Sequence, residues 1–133
     1  MRRLKVYFAA SVRGAGRDVE AIKRAIDTIE EMGHVPLTAH LARGGEDLSD
    51  EEVYRRDMSL LKEADLLIAE VTFPSLGVGF EICEALHLKK PIFLVAREGV
   101  KVSKLVAGVA EVRRYSTLEG LSEIIRDILT SFT

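Results

Sequence analysis

Glu81 is a carboxylate placed where a helix could present it for chemistry. It falls in the first turns of a predicted helix, between Phe80 and Ile82 and beside that helix's apolar stripe. A helix N-terminus stabilises the ionised form of a nearby carboxylate, which suits a nucleophile. A glutamate that only caps the helix would occupy the same position. The spacing therefore leaves the nucleophile and the capping interpretation both open.

Asp57 is a second carboxylate, on a helix face that the sequence predicts to be buried. It follows Val53 by four residues, and Leu61 continues the same stripe. Charged residues are almost never buried without a partner, so Asp57 must be salt-bridged, protonated or exposed to a pocket. Glycosyl transfer uses two carboxylates, one to attack the anomeric carbon and one to manage protons. Glu81 and Asp57 are candidates for that pair.

Two glycine-containing loops, residues 11–16 and 74–79, each follow a predicted strand and lead into a helix. Free backbone N–H groups, the helix dipole, serine hydroxyls and a guanidinium suit an anion such as phosphate. The candidate phosphate ligands are Ser11, Arg13, Gly14, Ser75, Gly77 and Gly79. Each loop alone could be a tight turn that needs glycine for packing. Neither has dinucleotide-binding or Walker spacing, so a nicotinamide cofactor and nucleoside-triphosphate hydrolysis are not supported.

The elements that must position these residues alternate between strands and helices. Predicted strands are residues 4–10, 35–38, 66–71, 92–96 and 109–115; predicted helices are 18–33, 50–63, 77–88, 102–108 and 118–132, with a polar loop or lid over 39–49. Ser49 and Glu52 match a capping box. The alternation predicts an α/β fold, a doubly wound five-stranded parallel sheet of flavodoxin-like order 2-1-3-4-5 with helices on both faces. Ligands then bind beside strands one and three, where both loops lie.

The composition limits the possible partners and location of the protein. A chain of 133 residues with 47% hydrophobic and 30% charged residues is expected to form one domain over residues 1–133. No apolar run is long enough to cross a bilayer, so we expect no membrane partner and a cytoplasmic location. A net charge of −2 argues against polymeric nucleic acid as a partner. The single cysteine, Cys83, is expected to be a small core residue.

The amino-acid usage also indicates a thermophilic source. Asn, Gln and Trp are absent from the sequence, whereas Glu, Lys and Arg are plentiful. A melting temperature below about 60 °C, which is ordinary for mesophile domains, would contradict this hypothesis.

Three stretches of the chain carry a resemblance to a known family. They are Tyr7-Phe8-Ala9-Ala10-Ser11-Val12-Arg13-Gly14, Arg56-Asp57 before Leu60-Leu61, and residues 70–81 with the sequence EVTFPSLGVGFE. The chain resembles the 2′-deoxynucleoside 5′-phosphate N-hydrolase branch of the nucleoside 2-deoxyribosyltransferase family over nearly its whole length. The resemblance implies a homodimer that cleaves the N-glycosidic bond of a small nucleotide, without metal or organic cofactor.

The resemblance also implies roles for particular residues. Glu81 occupies the position of the nucleophile that forms a covalent glycosyl-enzyme, Asp57 that of the assisting acid, and Tyr7 that of the tyrosine beside the nucleophile. Ser11, Arg13 and Ser75 match the phosphate ligands, and Ser103 matches, more weakly, a serine supplied by the neighbouring subunit.

The base end of the substrate is less defined by the sequence. His40 is expected at the rim, where a satisfied loop histidine is favoured over a catalytic base. Leu41, Phe73 and Tyr54 could line a base pocket, and Ala39 stands where relatives can carry an acidic residue. These residues select neither the base nor ribose against deoxyribose.

Two alternatives to hydrolysis stay open. A base-exchange deoxyribosyltransferase would differ only in what captures the glycosyl-enzyme. The lack of Asn and Gln disfavours it, because the transferases supply an amide side chain from the partner subunit. A domain that binds and senses a nucleotide without cleaving it is the alternative from another class.

Overall fold

Five parallel strands form one sheet in the order β2-β1-β3-β4-β5. A computed structural model describes residues 2–13, 16–44 and 46–132. The strands are β1 Lys5–Ala10, β2 Val35–Pro36, β3 Leu66–Glu70, β4 Ile92–Arg97 and β5 Val112–Tyr115. The helices are α1 Val19–Glu31, α2 Asp50–Glu63, α3 Leu76–His87, α4 Lys104–Ala107 and α5 Leu118–Thr130, and a 3₁₀ turn covers Ala39–Ala42. The predicted fold class and strand order are confirmed.

The core has one layer on each face of the sheet. Leu66 and Ile68 of β3 pack with side chains of α1 and α5 on one face. Leu67 and Ala69 pack with side chains of α2 and α3 on the other, as the alternation of side chains along a strand requires. Every residue of β3 is buried. A strand buried on both faces is a near-continuous apolar run, which explains why the sequence predicted it.

The helix that carries Asp57 begins and ends as predicted, at Asp50 and Glu63. The Ser49 hydroxyl accepts a hydrogen bond from the Glu52 amide at 3.1 Å, and the Glu52 carboxylate accepts one from the Ser49 amide at 2.9 Å. The predicted capping box is therefore confirmed.

One local prediction is confirmed only in part and another is wrong. The predicted loop after the second strand begins with the 3₁₀ turn, because Leu41 and its neighbours in this turn pack against the core and Arg17 donates to the Leu41 carbonyl at 2.6 Å. Cys83 is exposed and not a core residue. It follows Ile82, whose side chain faces the sheet, so Cys83 points about 100° away around the helix.

The strand register brings the two glycine-containing loops to one edge of the sheet. Ala10 at the end of β1 pairs with Glu70 at the end of β3, and Glu70 pairs with Val95 of β4. The chain leaves β1 toward α1 and β3 toward α3 on opposite faces, which makes this edge the switch point of the sheet. None of the helices in the described part of the chain is both long and apolar enough to span a membrane.

Candidate active site

A cleft of about 520 Å³ opens at the carboxyl ends of β1 and β3. This volume lies within the range of roughly 300–1,000 Å³ that is typical of small-molecule sites. Among the residues predicted from the sequence, those that line the cleft are Tyr7, Arg13, His40, Leu41, Tyr54, Asp57, Ser75, Gly77 and Glu81. The cleft therefore joins parts of both glycine-containing loops, the 3₁₀ turn and both candidate carboxylates.

Glu81 is held at the inner wall of the cleft by α3 and β1. The Ser75 hydroxyl starts α3 by accepting from the Val78 amide at 3.2 Å, and Val78 and Ile82 face the sheet. Glu81 lies between these two along the helix and points to the edge of the core. There the Tyr7 hydroxyl, on the buried strand β1, donates a short hydrogen bond to Glu81 Oε2. A carboxylate that accepts one fixed hydrogen bond and also faces a cleft is positioned to attack a ligand bound there.

The protonation of Glu81 differs from what the helix position alone predicts. Burial raises the pKa of its carboxyl to about 7, the Tyr7 hydrogen bond lowers it, the nearby Asp57 charge raises it and Arg56 lowers it. The expectation that the helix N-terminus keeps Glu81 ionised is therefore wrong in its net effect, because loss of water around the carboxylate dominates. Burial and the neighbouring Glu81 carboxylate also raise the pKa of Tyr7 well above its ordinary value, so Tyr7 keeps its proton and acts as a donor.

Asp57 faces the cleft from α2 and is also paired with an arginine. Its Oδ1 accepts from Arg56 Nε at 2.9 Å, and its side chain keeps 21% exposure. Arg56 in turn donates two hydrogen bonds to Glu46, one of them at 3.1 Å. This Glu46–Arg56–Asp57 chain fastens the loop before α2 to the helix beside the carboxylate. Two of the three possibilities for Asp57, a salt bridge and exposure to a pocket, are both realised.

The end of the cleft near His40 contains aromatic and neutral groups. His40 lines it, and burial and then the Arg56 charge lower the pKa of its imidazole, which favours the neutral ring. Tyr54 and Phe80 meet edge to face at 6.3 Å between ring centroids, and both remain more than half exposed. Sequence reasoning missed Phe80 as a lining residue. Its spacing of four from Leu76, another lining residue, was the available signal, because residues four apart share a helix side.

The loop after β1 is held together from inside. The Ser11 hydroxyl is buried and lies within hydrogen-bond distance of the carbonyl oxygens of Arg13 (2.8 Å) and Gly16 (2.7 Å). The side chain of Ser11 thus stabilises the loop, while Arg13 is exposed and lines the cleft. Gly14, the remaining candidate in this loop, lies outside the described residues.

The loop after β3 forms the opposite wall. Ser75 and Gly77 both line the cleft, where the first amides of α3 begin. A Cβ added to Gly77 would meet nothing closer than the Ser75 hydroxyl at 3.8 Å. The folded chain itself therefore does not require glycine at this position, whereas close approach of a ligand would.

Three candidates lie in a neighbouring cleft of about 320 Å³ and not in the main one. They are Phe73, Gly79 and Ser103. The structure does not bring Phe73 to the end of the cleft near His40, because its ring lies against Gly16: a Cβ at Gly16 would stand 2.6 Å from Phe73 Cε1. Ser103 is exposed at the start of α4. The two clefts share Ser75 in their common wall.

Comparison with known proteins places the chain in a family. The family model for nucleoside 2-deoxyribosyltransferase matches residues 6–115. The chain belongs to the nucleoside 2-deoxyribosyltransferase family. In the described residues, no group of three or more His, Cys, Asp or Glu side chains could hold a metal ion.

Relatives within this family include proteins named as hydrolases. A Methanosarcina mazei protein named 2′-deoxynucleoside 5′-phosphate N-hydrolase 1 is 38% identical, over 93% of this chain and 83% of its own length. A Thermofilum pendens protein of the same name is 43% identical, over 80% of this chain and 78% of its own. The mouse 5-hydroxymethyl-dUMP N-hydrolase is 35% identical, over 93% and 76%.

Solved structures share the fold of this family member. The Clostridium botulinum CMP N-glycosidase superposes with a TM-score of 0.70 at 22% identity, over 92% of this chain and 98% of that one. The 2-deoxyribosyltransferase of Bacillus psychrosaccharolyticus superposes with a TM-score of 0.67 at 16% identity, over 88% and 89%.

Proposed function

We propose that this chain hydrolyses the N-glycosidic bond of a (deoxy)nucleoside 5′-monophosphate to free base and (deoxy)ribose 5-phosphate. The observation that carries the proposal is the Glu81 carboxylate, partly buried and held by Tyr7 in a cleft that also contains Asp57 and anion-suited loops. Relatives at 35–43% identity are named for this class of reaction.

The reaction follows from the positions of the two carboxylates. Glu81 attacks C1′ while the C1′–N bond breaks, giving a glycosyl ester on the enzyme, and Asp57 donates a proton to the departing base. Water then attacks C1′, its proton passes to Asp57, and Glu81 is released as a carboxylate. Tyr7 donates to Glu81 throughout and keeps the attacking oxygen oriented.

The phosphate end of the substrate is assigned to the loops. Arg13 supplies a guanidinium and the start of α3, with Ser75 and Gly77, supplies backbone N–H groups. With these groups at the phosphate, the end of the cleft near His40, Leu41 and Tyr54 is left for the base.

Replacement of Glu81 tests this function directly. Glu81→Gln should abolish base release while nucleotide binding is kept, because the amide fills the same space without a nucleophilic oxygen anion. Base release is followed chromatographically over a panel of deoxynucleoside and ribonucleoside monophosphates. Glu84→Gln, on the same helix and outside the cleft, is the matched control. Unchanged turnover in Glu81→Gln would refute the assignment.

Base exchange is tested separately, since the family model is named for transferases. Incubation with a deoxynucleotide and a second free base should yield deoxyribose 5-phosphate and no new nucleotide. Formation of the exchanged nucleotide would favour the transferase, and tight binding without any base release would favour a nucleotide-sensing domain.

A homodimer completes the proposed site. Leu76 and Leu105 are 97% and 87% exposed, and Leu76 lines the second cleft together with Ser103. Large apolar side chains exposed together mark interaction surfaces. A second copy covering this surface would place its Ser103 toward the wall that both clefts share. Location in the cytoplasm and a thermophilic source stay predictions.

A further inference from the structure

A buried carboxylate outside the cleft anchors the start of the loop after β3. Glu70 is 5% exposed and accepts three hydrogen bonds. Its Oε1 accepts from the Thr72 amide at 2.8 Å, and its Oε2 accepts from the Thr72 hydroxyl at 2.6 Å and the Tyr115 hydroxyl at 2.5 Å. A buried carboxylate with this many donors is fixed in place. None of these three residues has a role in the glycosidic chemistry proposed above.

The same network continues from β3 to β4. The Thr72 hydroxyl, which donates to Glu70, accepts from the Arg97 amide at 3.0 Å. The Arg97 guanidinium lies 5.1 Å from the centre of the Tyr115 ring, the distance of a cation–π contact. Arg97 is therefore held by the residues that anchor the loop after β3.

Arg97 also reaches the loop after β1. Its Nε and Nη2 donate to Asp18 Oδ2 at 3.0 and 2.6 Å. The other carboxylate oxygen of Asp18 caps α1 by accepting from the Ala21 amide at 3.0 Å. Partial burial acts to raise the pKa of the Asp18 carboxyl, but hydrogen bonds from Ala21 and Arg97 outweigh it and hold the pKa below its ordinary value. Asp18 thus stays charged and paired.

The two loops also meet directly, between the Phe73 ring and Gly16. Two separate contacts therefore fix one loop against the other: Phe73 on Gly16, and Arg97 joined to both Thr72 and Asp18. An anion held between two loops is recognised well only when their separation is fixed, since small displacements of binding groups are costly.

We propose that Arg97 is a positioning residue for phosphate recognition, which it serves by joining the loop after β3 to Asp18 at the end of the loop after β1. This inference rests on the proposed function. Arg97 does not line the cleft and touches no substrate in this assignment. Its removal should therefore impair use of the 5′-phosphate and leave the chemistry at C1′ intact.

The test compares a nucleotide with its own nucleoside. For Arg97→Met, kcat/KM for the best-cleaved deoxynucleoside 5′-monophosphate should fall about tenfold, mainly through KM, while kcat/KM for the matching deoxynucleoside changes less than about twofold. The ratio of the two constants is independent of the folded fraction. Equal losses on both substrates, or no loss, would overturn the proposal. Arg113→Met is the matched control, because Arg113 pairs with Asp127 at 3.0 Å away from both loops.

Asp18→Asn separates positioning from simple charge. Asparagine caps helices as well as aspartate, so α1 keeps its start. If Arg97 acted by charge alone, removing the Asp18 carboxylate would leave a free cation and improve phosphate use. Positioning predicts the opposite: the preference for the nucleotide over the nucleoside, measured as the ratio of their kcat/KM values, should fall several-fold. A higher ratio in Asp18→Asn than in the wild type would overturn the proposal.

Failure of the proposed function gives a different result. If the wild type releases no base from any nucleotide, hydrolysis is refuted. The preference for the nucleotide over the nucleoside is then measured by binding. Calorimetry gives the Kd values of deoxyuridine 5′-monophosphate and deoxyuridine for the wild type and Arg97→Met. An unchanged Kd ratio would overturn the role of Arg97 on its own terms.

Discussion

Glu81 shows how one side chain reconciles burial with reactivity. Burial removes water and raises the pKa of the carboxyl to about 7, and the Tyr7 hydroxyl opposes this by donating to the ionised form. A nucleophile with a pKa near the working pH is partly ionised and also more basic than an exposed glutamate. This balance has consequences for the rate and for stability.

The rate should depend on the ionisation of Glu81. We expect kcat/KM to rise with pH through an apparent pKa of about 7, because only the carboxylate attacks C1′. In Tyr7→Phe this limb should move to higher pH, since the hydrogen bond that lowers the pKa of Glu81 is gone. The profile is measured from pH 5 to 9. The nucleoside serves as control, because a 5′-phosphate itself titrates near pH 6. A limb that stays or moves to lower pH in Tyr7→Phe would contradict this role.

Stability should depend on pH through the same group. Below about pH 4.5 Glu81 is protonated in both the folded and unfolded states. Between about 4.5 and 7 only the folded state holds the proton, so the free energy of unfolding falls as pH rises through this window.

Glu81→Gln removes this dependence, so the variant should gain stability relative to the wild type as pH rises. Between pH 4 and 8 the relative gain should be on the order of 2–3 kcal/mol. Urea unfolding of both proteins at the two pH values measures it. If the free energies of unfolding of the two proteins differ by the same amount at both pH values, burial does not shift the pKa of Glu81.

At the scale of elements, α3 carries both the proposed nucleophile, Glu81, and part of the wall proposed to bind phosphate. Its first turn contains Gly77, which lowers helix propensity although the surrounding atoms leave room for a side chain. Helix stability is thus reduced at the position where a bound phosphate would come close to the backbone.

Gly77→Ala should therefore separate stability from binding. Apart from its chain neighbours and the nearby helix backbone, the added methyl group meets no atom closer than 3.8 Å, so we expect the free energy of unfolding to rise by about 0.5 kcal/mol. The same methyl group should raise KM for the nucleotide about tenfold, because it stands where the phosphate approaches. Chemical unfolding and steady-state kinetics measure the two effects. A destabilised variant with unchanged KM would contradict both expectations.

Elements could be predicted from the sequence where local interactions define them. The start of the helix of residues 50–63 could be predicted, because Ser49 and Glu52 bond to each other's backbone within one turn. The 3₁₀ turn was not predicted, because the contacts that hold it come from Arg17 and the distant core. The position of Phe73 could not be predicted for the same reason. Its ring lies against Gly16, which is far away in sequence, so only the tertiary structure shows this contact.

At the scale of the whole molecule, the topology alone predicts where the site lies. The order 2-1-3-4-5 puts the ends of β1 and β3 together, so the loops of residues 11–16 and 74–79 had to share an edge. Burial could not be predicted in this way. The net raised pKa of Glu81, the Glu46–Arg56–Asp57 chain and the Arg97 network all depend on side chains far apart in sequence meeting in space.

The proposed dimer is tested first by its exposed surface. Leu105→Glu should convert the dimer to a monomer, because it places a charge on an apolar surface that association would bury. Leu48→Glu changes an exposed leucine that lines neither cleft and serves as control. Sedimentation velocity measures the oligomeric state. A monomeric wild type, or a Leu105→Glu variant that remains a dimer, would contradict this surface.

Mixed dimers then test whether Ser103 acts across subunits. Ser103→Ala alone should keep the dimer and raise KM for the nucleotide about tenfold, since a phosphate ligand is lost. Glu81→Gln alone should be inactive. If Ser103 serves the neighbouring subunit, a mixed dimer has one complete site. That site combines Glu81 of the Ser103→Ala subunit with Ser103 of the Glu81→Gln subunit. After exchange with a large excess of Glu81→Gln subunits, nearly every Ser103→Ala subunit lies in a mixed dimer, so the wild-type KM should return, with a kcat that is reduced per total subunit. If Ser103 served its own subunit, the mixture would keep the raised KM of Ser103→Ala, because every subunit with Glu81 would lack Ser103.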